Sequence, residues 1–373
     1  MEKRKIGLIS YHSGHNYGTM LQAFALQYYI NEILNEDAEY INYIDGKSFK
    51  EADWSVRLKK IKEKFSLGIL PLLYGFLYRK KLSLSGKAFN RFFSSYIGTS
   101  EKRYSSFEEL RMDPPEYDIY IVGSDQTWNP TFLKNNAAYF LGFVNEPQKK
   151  NSYASSIGVY SLDEDTKSLY SKYLNQFNSI SCREILGCEI LESFLDRHIE
   201  HVLDPTLLLT PDVWKNIECK YDIDVPYVLC YSLGYKKSVR QFAKKLAKEH
   251  NMPVYFIAST YLDMQENNCL FGIGPQEFLF LIRHASFVCT DSFHGTIFSI
   301  NFERNFYSFF KRNGNEKNSD NSRILSILQE FSLENRLKGD TFSEEVNINY
   351  DRINLYLKER RIQSVTYLKN ILK

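Results

Sequence analysis

Short apolar runs alternate with amphipathic stretches through the first half of the chain. Residues 6–10, 40–44 and 118–122 are apolar runs of strand length, and the apolar spacing after Tyr17 predicts a helix between the first two. The other elements predicted in this half are strands at 150–157, 180–184 and 201–203, a helix from about 163 to 177, and a helix whose S/T-x-x-E start is at Ser106. Strands that alternate with helices predict a parallel sheet.

The second half repeats this alternation, after a segment with two prolines at 204–211 that we expect to connect the halves. Strands are predicted at 227–232, 254–257, 286–290 and 305–310, and helices at 236–249, 278–284, 295–301, 322–331 and 350–372. The predicted fold class is therefore α/β, with two Rossmann-like parallel-sheet domains facing a cleft. The predicted domains are residues 1–205 with an insertion at 55–95, residues 206–345, and a C-terminal helix, 346–373, that packs back on the first domain.

Composition excludes several classes of protein. The 373 residues include 47 basic and 45 acidic residues, a balance that argues against dedicated nucleic-acid binding. Six cysteines, at 182, 188, 219, 230, 269 and 289, have neither zinc-site nor disulfide-framework spacing. The N-terminus continues directly into a predicted strand, so no signal peptide is expected, and a cytoplasmic location with reduced cysteines is the expectation.

One segment is strongly basic. Residues 57–91 contain ten basic residues and one acidic residue, Glu63, around the apolar stretch 65–78. Fourteen residues with Pro71 near their centre are too few to span a bilayer. Two interpretations stay open: a helical insertion packed on its own domain, or a segment that lies on an anionic membrane surface.

The segment 288–297, Val-Cys-Thr-Asp-Ser-Phe-His-Gly-Thr-Ile, changes from a predicted strand to a predicted helix. A helix start offers unpaired amides and a positive dipole end to a phosphate or carboxylate, and ligands of parallel sheets bind beyond the carboxyl ends of strands. Gly295 would let a ligand approach the backbone, and His294 would transfer a proton near neutral pH. The alternative is a helix cap with a structurally bonded histidine.

Two further clusters follow predicted strands of the first half. In 123–130, Asp125 would accept a hydroxyl proton and Trp128 would stack on a sugar; equally, the segment forms an Asx-type turn with Trp128 in the core. In 181–184, Arg183 would grip a carboxylate or phosphate with two hydrogen bonds, or pair with Glu184. Cations predicted near the same edge in the second half are Lys311, Arg312 and Arg323.

The loop 12–19, His-Ser-Gly-His-Asn-Tyr-Gly-Thr, follows the first strand. It matches neither GxxxxGK[ST] nor GxGxxG, so it predicts no nucleotide site. Its glycines and polar side chains favour a loop that faces the substrate.

These pieces together resemble the polysaccharide pyruvyl transferase family. The matching segments, in order, are 15–26, Gly123-Ser-Asp-Gln-Thr-Trp-Asn129, Tyr153-Ala-Ser-Ser-Ile-Gly158, Ser181-Cys-Arg-Glu184, Asp204-Pro-Thr-Leu-Leu208, Thr290-Asp-Ser-Phe-His-Gly-Thr296 and Ser322-Arg-Ile324. The resemblance implies a GT-B-like fold. It also implies transfer of pyruvate from phosphoenolpyruvate to two hydroxyls of one sugar of a cell-surface polysaccharide, with a cyclic ketal and phosphate as products. On this basis, the first domain is expected to bind the acceptor and the second the donor.

By this resemblance, His294 is expected to assist reaction at the enol and Arg183 to bind the donor, and we add Asp125 as the base. Predicted substrate-binding residues are His15, Asn16, Tyr17, Thr19, Ser124, Gln126, Trp128, Asn129, Ser155, Asp291, Ser292, Gly295, Thr296, Lys311, Arg312 and Arg323. The chain departs from the family at Ser292, where many members have Arg, so Lys311, Arg312 or Arg323 is expected to supply the charge. No metal and no cofactor are predicted, because the sequence shows no metal-ligand set and the reaction needs one acid and one base.

Two other functions use the same features. A GT-B glycosyltransferase would place a nucleotide-sugar diphosphate at 288–297, and a non-catalytic protein would bind a glycan or anion there. The first acceptor hypothesis is a 4,6-ketal on a galactose-type residue. A further hypothesis, motivated by the basic segment 57–91, is an acceptor linked to polyprenyl diphosphate, with the protein peripheral on the inner membrane face.

Overall fold

The computed structural model describes residues 3–44, 70–133, 136–311, 321–338 and 347–373. A parallel sheet organises the first half, with strand order β3-β2-β1-β4-β5. Its strands are β1 (Lys5–Ile9), β2 (Asp37–Tyr43), β3 (Thr99–Tyr104), β4 (Ile119–Val122) and β5 (Lys150–Ser152). The alternation read from the sequence predicted β1, β2 and β4 to within three residues at either end. Strand β3 was not predicted, because its sequence, Thr-Ser-Glu-Lys-Arg-Tyr, is mostly polar.

Two predicted strands of the first half do not join this sheet. β6 (Ser181–Cys182) and β7 (Glu200–His201) pair with each other in a small parallel sheet. Isolated bridges join Asp125 to Ser155 and Ser155 to Cys182, so the small sheet extends the carboxyl edge of the large one. The predicted strand 150–157 ends early, at Ser152, and Ala154 adopts a positive φ of 57° two residues later.

A second parallel sheet, of order β10-β9-β8-β11-β12-β13, organises the other half. Its strands are β8 (Val228–Tyr231), β9 (Val254–Ile257), β10 (Cys269–Leu270), β11 (Phe287–Thr290), β12 (Asn305–Phe309) and β13 (Leu337–Lys338). The predicted fold class, an α/β chain with two parallel sheets in a GT-B-like arrangement, is confirmed. The domain boundaries at 205 and 345 stay predictions.

Helices connect the strands of both sheets. They are α1 (Tyr17–Tyr28), α2 (Leu70–Tyr96), α3 (Phe107–Met112), α4 (Pro130–Leu133), α5 (Glu164–Leu174), α6 (Ile185–Glu192), α7 (Pro205–Leu208), α8 (Pro211–Ile217), α9 (Lys237–Glu249), α10 (Pro275–His284), α11 (Phe293–Asn301), α12 (Ser322–Glu330) and α13 (Tyr350–Ile371). A π-helical turn, Tyr29–Ile33, and 3₁₀ turns at Ala137–Phe140, Pro147–Lys149, Tyr261–Gln265 and Glu334–Arg336 complete the described elements. As predicted, Ser106 caps α3, accepting a hydrogen bond from the amide of Glu109.

One apolar core extends through both halves. The ring of Tyr17, at the start of α1, stacks on Phe278 of α10 with 4.3 Å between centroids and 6° between planes. Phe24 of α1 packs against Trp214 of α8, and Trp214 packs against Phe298 of α11. These ring contacts hold α1 against the helices of the second half, because α1 could not shift without breaking a buried aromatic cluster. The N-termini of α1 and α11 therefore lie close together.

The C-terminal helix α13 contacts both halves. Its Tyr367 hydroxyl donates to the carbonyl of Ser152, and its Ser364 hydroxyl accepts from the amide of Leu203. At its N-terminal end, the Tyr350 hydroxyl donates to the carbonyl of Arg304 in the second half. The helix therefore connects the segment before Asp204 with the first sheet, and its N-terminal end contacts the second half of the chain.

Helix α2 contains the described part of the basic insertion. Arg91 pairs with Glu277 of the second half at 3.2 Å, and Ala88 lies against Gly274. The described part of the insertion therefore packs against the second half of the chain. None of the described helices combines the length and apolar character that a bilayer crossing requires. Residues 57–69 of the basic segment lie outside the described residues.

Candidate functional site

A cavity of about 440 Å³ lies where the carboxyl ends of β1, β4 and β11 meet the starts of α1 and α11. Its walls come from both halves of the chain. The lining residues are Tyr11, Ser13, Gly14, His15, Asn16, Thr19, Asp125, Gln126, Thr131, Phe132, Leu233, Ser292, Phe293, His294, Lys311 and Arg323. The carboxyl ends of the strands in both sheets therefore face one shared cavity, which is where parallel sheets bind their ligands.

The corner between β11 and α11 forms as predicted. Ser292 caps the helix, its hydroxyl accepting from the amide of Gly295 at 3.2 Å. In the described part of the chain, the amides of Phe293 and His294 have no hydrogen-bond acceptor, so the positive end of α11 faces the cavity. Gly295 is required for packing, because a Cβ there would lie 2.5 Å from the hydroxyl of Thr290.

His294 lies between the two halves. Its Nε2 is enclosed, with no hydrogen-bond partner among the described residues, and lies 3.7 Å from Asp204 Oδ2. The other edge of the ring lies against Gly18 of α1, where a Cβ would approach Nδ1 to 1.9 Å. The ring therefore fits only because residue 18 has no side chain.

Asp204 is a buried carboxylate with a full set of donors. Oδ1 accepts from the amide and hydroxyl of Thr206, at 3.0 and 2.7 Å. Oδ2 accepts from Arg183 at 2.8 Å and from the hydroxyl of Ser124 at 3.1 Å. Burial by itself would raise the pKa of Asp204, but His294 and Arg183 outweigh it and hold this pKa far below the usual range. Asp204 is therefore a permanent negative charge under the histidine.

Arg183 lies beneath the cavity. Its side chain is 0% exposed, donates to Glu184 at 3.0 Å, and lies 3.7 Å from Asp125. Its guanidinium also stacks on Phe293, with 4.5 Å between Cζ and the ring centroid. Its Nε and Nη1 donate to buried carboxylates, whereas Nη2 has no hydrogen-bond partner among the described residues, so direct binding of the donor by Arg183 stays a prediction. The pairing with Glu184, the alternative interpretation, is the contact observed.

Asp125 reaches the cavity from the end of β4. Its backbone has a positive φ of 78°, which is strained for a residue with a Cβ. Its carboxylate accepts from the hydroxyl of Thr19 at 2.8 Å and from the amide of Gln126 at 2.9 Å. Burial would raise its pKa, but Arg183, His294 and the Thr19 hydrogen bond outweigh burial and lower it. The carboxylate is thus ionised and faces the same cavity as His294.

Trp128 lies in the core, as one of its two interpretations predicted, and its interpretation as a sugar platform is wrong. Its side chain is 0% exposed, its indole N–H donates to the carbonyl of Tyr139 at 2.8 Å, and Phe140 stacks on it. The turn at 125–128 directs the large apolar ring into the core, where it buries the most area. The cavity has a different exposed aromatic side chain, Phe132 of α4, which is 43% exposed.

Several other predicted binding residues lie behind the cavity wall rather than on it. Their polar groups are used internally: the Tyr17 hydroxyl donates to the carbonyl of Ile273, the Asp291 carboxylate accepts from the amide of Leu233, and the Thr296 hydroxyl bonds to that of Ser308. The predicted residues that lie outside the lining are Tyr17, Ser124, Trp128, Asn129, Ser155, Asp291, Gly295 and Thr296.

Other predicted residues do line the cavity: His15, Asn16, Thr19, Asp125, Gln126, Ser292, His294, Lys311 and Arg323. Arg312 lies outside the described residues. Sequence reasoning missed Asp204 and Gly18, although both lie in segments that matched the family, and it missed Phe132, for which the sequence shows no signal. In the described part of the chain, no group of three or more His, Cys, Asp or Glu side chains is arranged to hold a metal ion.

A model of the family described as polysaccharide pyruvyl transferase matches residues 16–309. The chain belongs to the polysaccharide pyruvyl transferase family. The matched range begins after β1 and includes ten of the sixteen residues that line the cavity, among them Asp125 and His294. No protein of curated function matches the chain in sequence.

Several solved structures have a similar chain course. UDP-GlcNAc 2-epimerase from Methanocaldococcus jannaschii is 12% identical, with a TM-score of 0.45, and 96% of this chain and 100% of that chain are covered. UDP-GlcNAc 2-epimerase from Neisseria meningitidis is 10% identical, with a TM-score of 0.42 and coverage of 99% and 92%. ADP-heptose LPS heptosyltransferase II from E. coli is 10% identical, with a TM-score of 0.35 and coverage of 97% and 99%.

Proposed function

We propose that this pyruvyl transferase family member moves pyruvate from phosphoenolpyruvate onto two hydroxyls of one sugar and releases phosphate. One observation supports this most: a histidine and an ionised carboxylate, His294 and Asp125, line one cavity whose other charged groups are cations. An acid, a base and an anion site are the parts that addition to an enol phosphate requires.

The donor would occupy the second-half side of the cavity. Phosphoenolpyruvate has a phosphate and a carboxylate, and Lys311 and Arg323 line this side together with the amides of Phe293 and His294. The start of α11 adds its positive dipole end. Lys311 and Arg323 would supply the charge that Ser292 does not, and Arg183 would add positive potential from below.

The reaction divides into two additions. His294 gives a proton to the methylene carbon, and the cation that forms at C2 is attacked by the first hydroxyl, whose proton goes to Asp125. The bond from C2 to the phosphate oxygen then breaks, and the phosphate leaves with the proton held by Asp125. The second hydroxyl closes the ketal on C2 and returns its proton to His294. Each proton transfer would contribute on the order of 10²–10⁴-fold.

The acceptor would occupy the first-half side. Phe132 offers an apolar ring face, and His15, Asn16 and Gln126 offer polar groups around it. Aromatic faces with flanking hydrogen-bond groups suit the mixed surface of a sugar. A galactose-type residue is the proposed acceptor, because its axial 4-hydroxyl and its 6-hydroxyl can close a six-membered ketal.

We also propose that the acceptor is attached to a lipid such as polyprenyl diphosphate, and that the protein binds the inner membrane face peripherally. The basic segment 57–91 motivates this proposal. Its positive charge would attract anionic headgroups and bring the cavity close to a membrane-bound substrate.

The test is incubation of the full chain with phosphoenolpyruvate and a galactosyl acceptor, followed by mass spectrometry of the acceptor and assay of phosphate. The expected result is a pyruvyl ketal and phosphate release that depends on acceptor, lost in His294→Ala. Parallel incubation with nucleotide-sugars separates glycosyl transfer from pyruvyl transfer. A glycosylated acceptor, or binding of phosphoenolpyruvate without any turnover, would overturn the proposal.

A further inference from the structure

The two ring nitrogens of His294 have different surroundings. Nε2 is enclosed on the side of Asp204, whereas Nδ1 lies against the backbone of Gly18 at the start of α1. His294 is one of the residues that line the cavity. The two nitrogens therefore cannot have the same role in a proton transfer.

We propose that Asp204 positions His294 by holding a proton on Nε2, and that Nδ1 is the nitrogen that exchanges its proton with the substrate. The choice of Nδ1 as the reacting atom rests on the proposed function, whereas the pairing of Asp204 with Nε2 does not. Asp204 is a positioning residue here, because it acts through the ring and does not line the cavity.

The case for Nε2 comes from burial. A buried ring nitrogen without a partner costs about 1–3 kcal/mol. Among the described residues, the acidic oxygen recorded within 4 Å of Nε2 is Asp204 Oδ2, at 3.7 Å. That distance exceeds a hydrogen bond, so the proposed contact requires the ring to move toward Asp204. A carboxylate acceptor selects the tautomer with its proton on the facing nitrogen, as it does for buried histidines in general.

The case for Nδ1 comes from Gly18. Glycine is a poor helix former, yet it occupies residue 18, in the first turn of α1. A Cβ at this position would lie 1.9 Å from Nδ1 and 2.3 Å from Cγ of His294. Any side chain would therefore push the ring from its place and cover Nδ1, which, unlike Nε2, is not enclosed.

Other charged groups surround this pair and are the same in each variant proposed below. Arg183 donates to Asp204, Asp125 lies within the electrostatic reach of His294, and Cζ of Arg323 lies 5.6 Å from the ring centroid of Phe293. Arg183 keeps Asp204 ionised, so the carboxylate accepts and does not donate. The protonated ring would give the Nδ1 proton to the methylene carbon and stay neutral, with Nε2–H facing Asp204, until the second hydroxyl returns a proton.

The first test is nitrogen-15 NMR of the full chain with labelled histidine, in which the His294 signals are identified by their loss in His294→Gln. At a pH where the ring is neutral, we expect the proton on Nε2 in the wild type and a mixed population in Asp204→Asn. A wild-type ring protonated at Nδ1, or a tautomer unchanged in Asp204→Asn, would overturn the proposal. This readout on the wild type needs neither turnover nor a stable variant.

The second test is turnover of Asp204→Asn and Gly18→Ala. For each we expect kcat to fall about 10- to 100-fold, by analogy with the loss of carboxylate partners of metal-bound histidines, with KM for phosphoenolpyruvate unchanged. Gly187→Ala is the matched control, because a Cβ in α6 would meet only ordinary contacts, the nearest at 3.5 Å. Wild-type kcat in both variants would overturn the inference. If the wild type itself does not use phosphoenolpyruvate, the proposed function fails and the NMR result decides the inference separately.

Discussion

The guanidinium of Arg183 stacks on the ring of Phe293, with 4.5 Å between Cζ and the ring centroid. Arg183 follows β6 of the first half, and Phe293 opens α11 of the second. The same guanidinium pairs with Asp204 at 2.8 Å and Glu184 at 3.0 Å. One buried cation therefore supports the carboxylate beneath His294 and the helix start that faces the cavity.

Replacing Arg183 by Met should destabilise the protein by about 3–5 kcal/mol, because buried carboxylates lose their cation. Arg183→Lys should restore only part of this, since one ammonium cannot bridge Asp204 and Glu184 together. Urea denaturation measures both effects. Lys102→Met is the control: its ion pair with Asp113 is exposed, so its loss should cost less than about 1 kcal/mol. A change in Arg183→Met as small as that of the control would contradict the ion-pair account.

The free energy of unfolding should fall at acid pH, because Asp125 and Asp204 must then be protonated. Both have a pKa below that of an unfolded Asp, about 3.9, so the unfolded chain takes up protons first as the pH falls. Their stabilisation is complete above about pH 5 and is lost as the pH falls toward the folded values. Urea denaturation between about pH 6 and pH 3 should show a shallower loss in Asp125→Asn than in the wild type. Equal slopes would show that Asp125 is not held ionised by its neighbours.

Phe132→Ala should weaken acceptor binding. Loss of a ring that stacks on a sugar costs about 0.5–1.5 kcal/mol, so KM for the acceptor should rise roughly 2- to 10-fold. KM for phosphoenolpyruvate should not change, because the donor is proposed to bind on the other side of the cavity. Phe132→Trp should keep acceptor binding. Met112→Ala removes another exposed apolar side chain, 82% exposed and outside the cavity lining, and should change neither constant.

Lys311→Met and Arg323→Met should each raise KM for phosphoenolpyruvate roughly 10- to 100-fold, the cost of one charge-assisted hydrogen bond of about 1.5–3 kcal/mol. Both residues line the cavity beside the start of α11. Steady-state kinetics with saturating acceptor measures the effect. Lys245→Met, at an exposed position on α9, tests for a general effect of lost positive charge. If all three variants behave alike, neither cation binds the donor specifically.

The full chain should float with anionic liposomes at low salt and not with neutral ones, because each basic residue near the surface contributes about 1 kcal/mol. Changing Lys59, Lys60, Lys62 and Lys64 to Gln should abolish flotation. The matched control changes the same number of lysines on α9: Lys237, Lys244, Lys245 and Lys248. Flotation that is absent in the wild type, or lost equally in the control, would remove the basis for a membrane role of 57–91.

Local pattern was enough to predict the alternation of strands and helices, because hydrophobic spacing depends on neighbouring residues alone. It was also enough to place His294, Asp125 and Arg183 at strand ends, since parallel strands bring their carboxyl ends to one edge. It failed for β3, whose polar sequence pairs through its backbone, and it misplaced β6 and β7, which form their own small sheet.

The sequence by itself indicated that the segments 12–19, 123–130 and 288–297 reach the cavity, and the tertiary structure decided which of their side chains face it. In 123–129, a turn with a positive φ at Asp125 sends the carboxylate toward the cavity and Trp128 into the core. The roles of Asp204 and Gly18 could be inferred only from the tertiary structure, which places His294 between them. The reason is physical: the direction and charge of a buried side chain depend on partners distant in sequence, and no local pattern contains them.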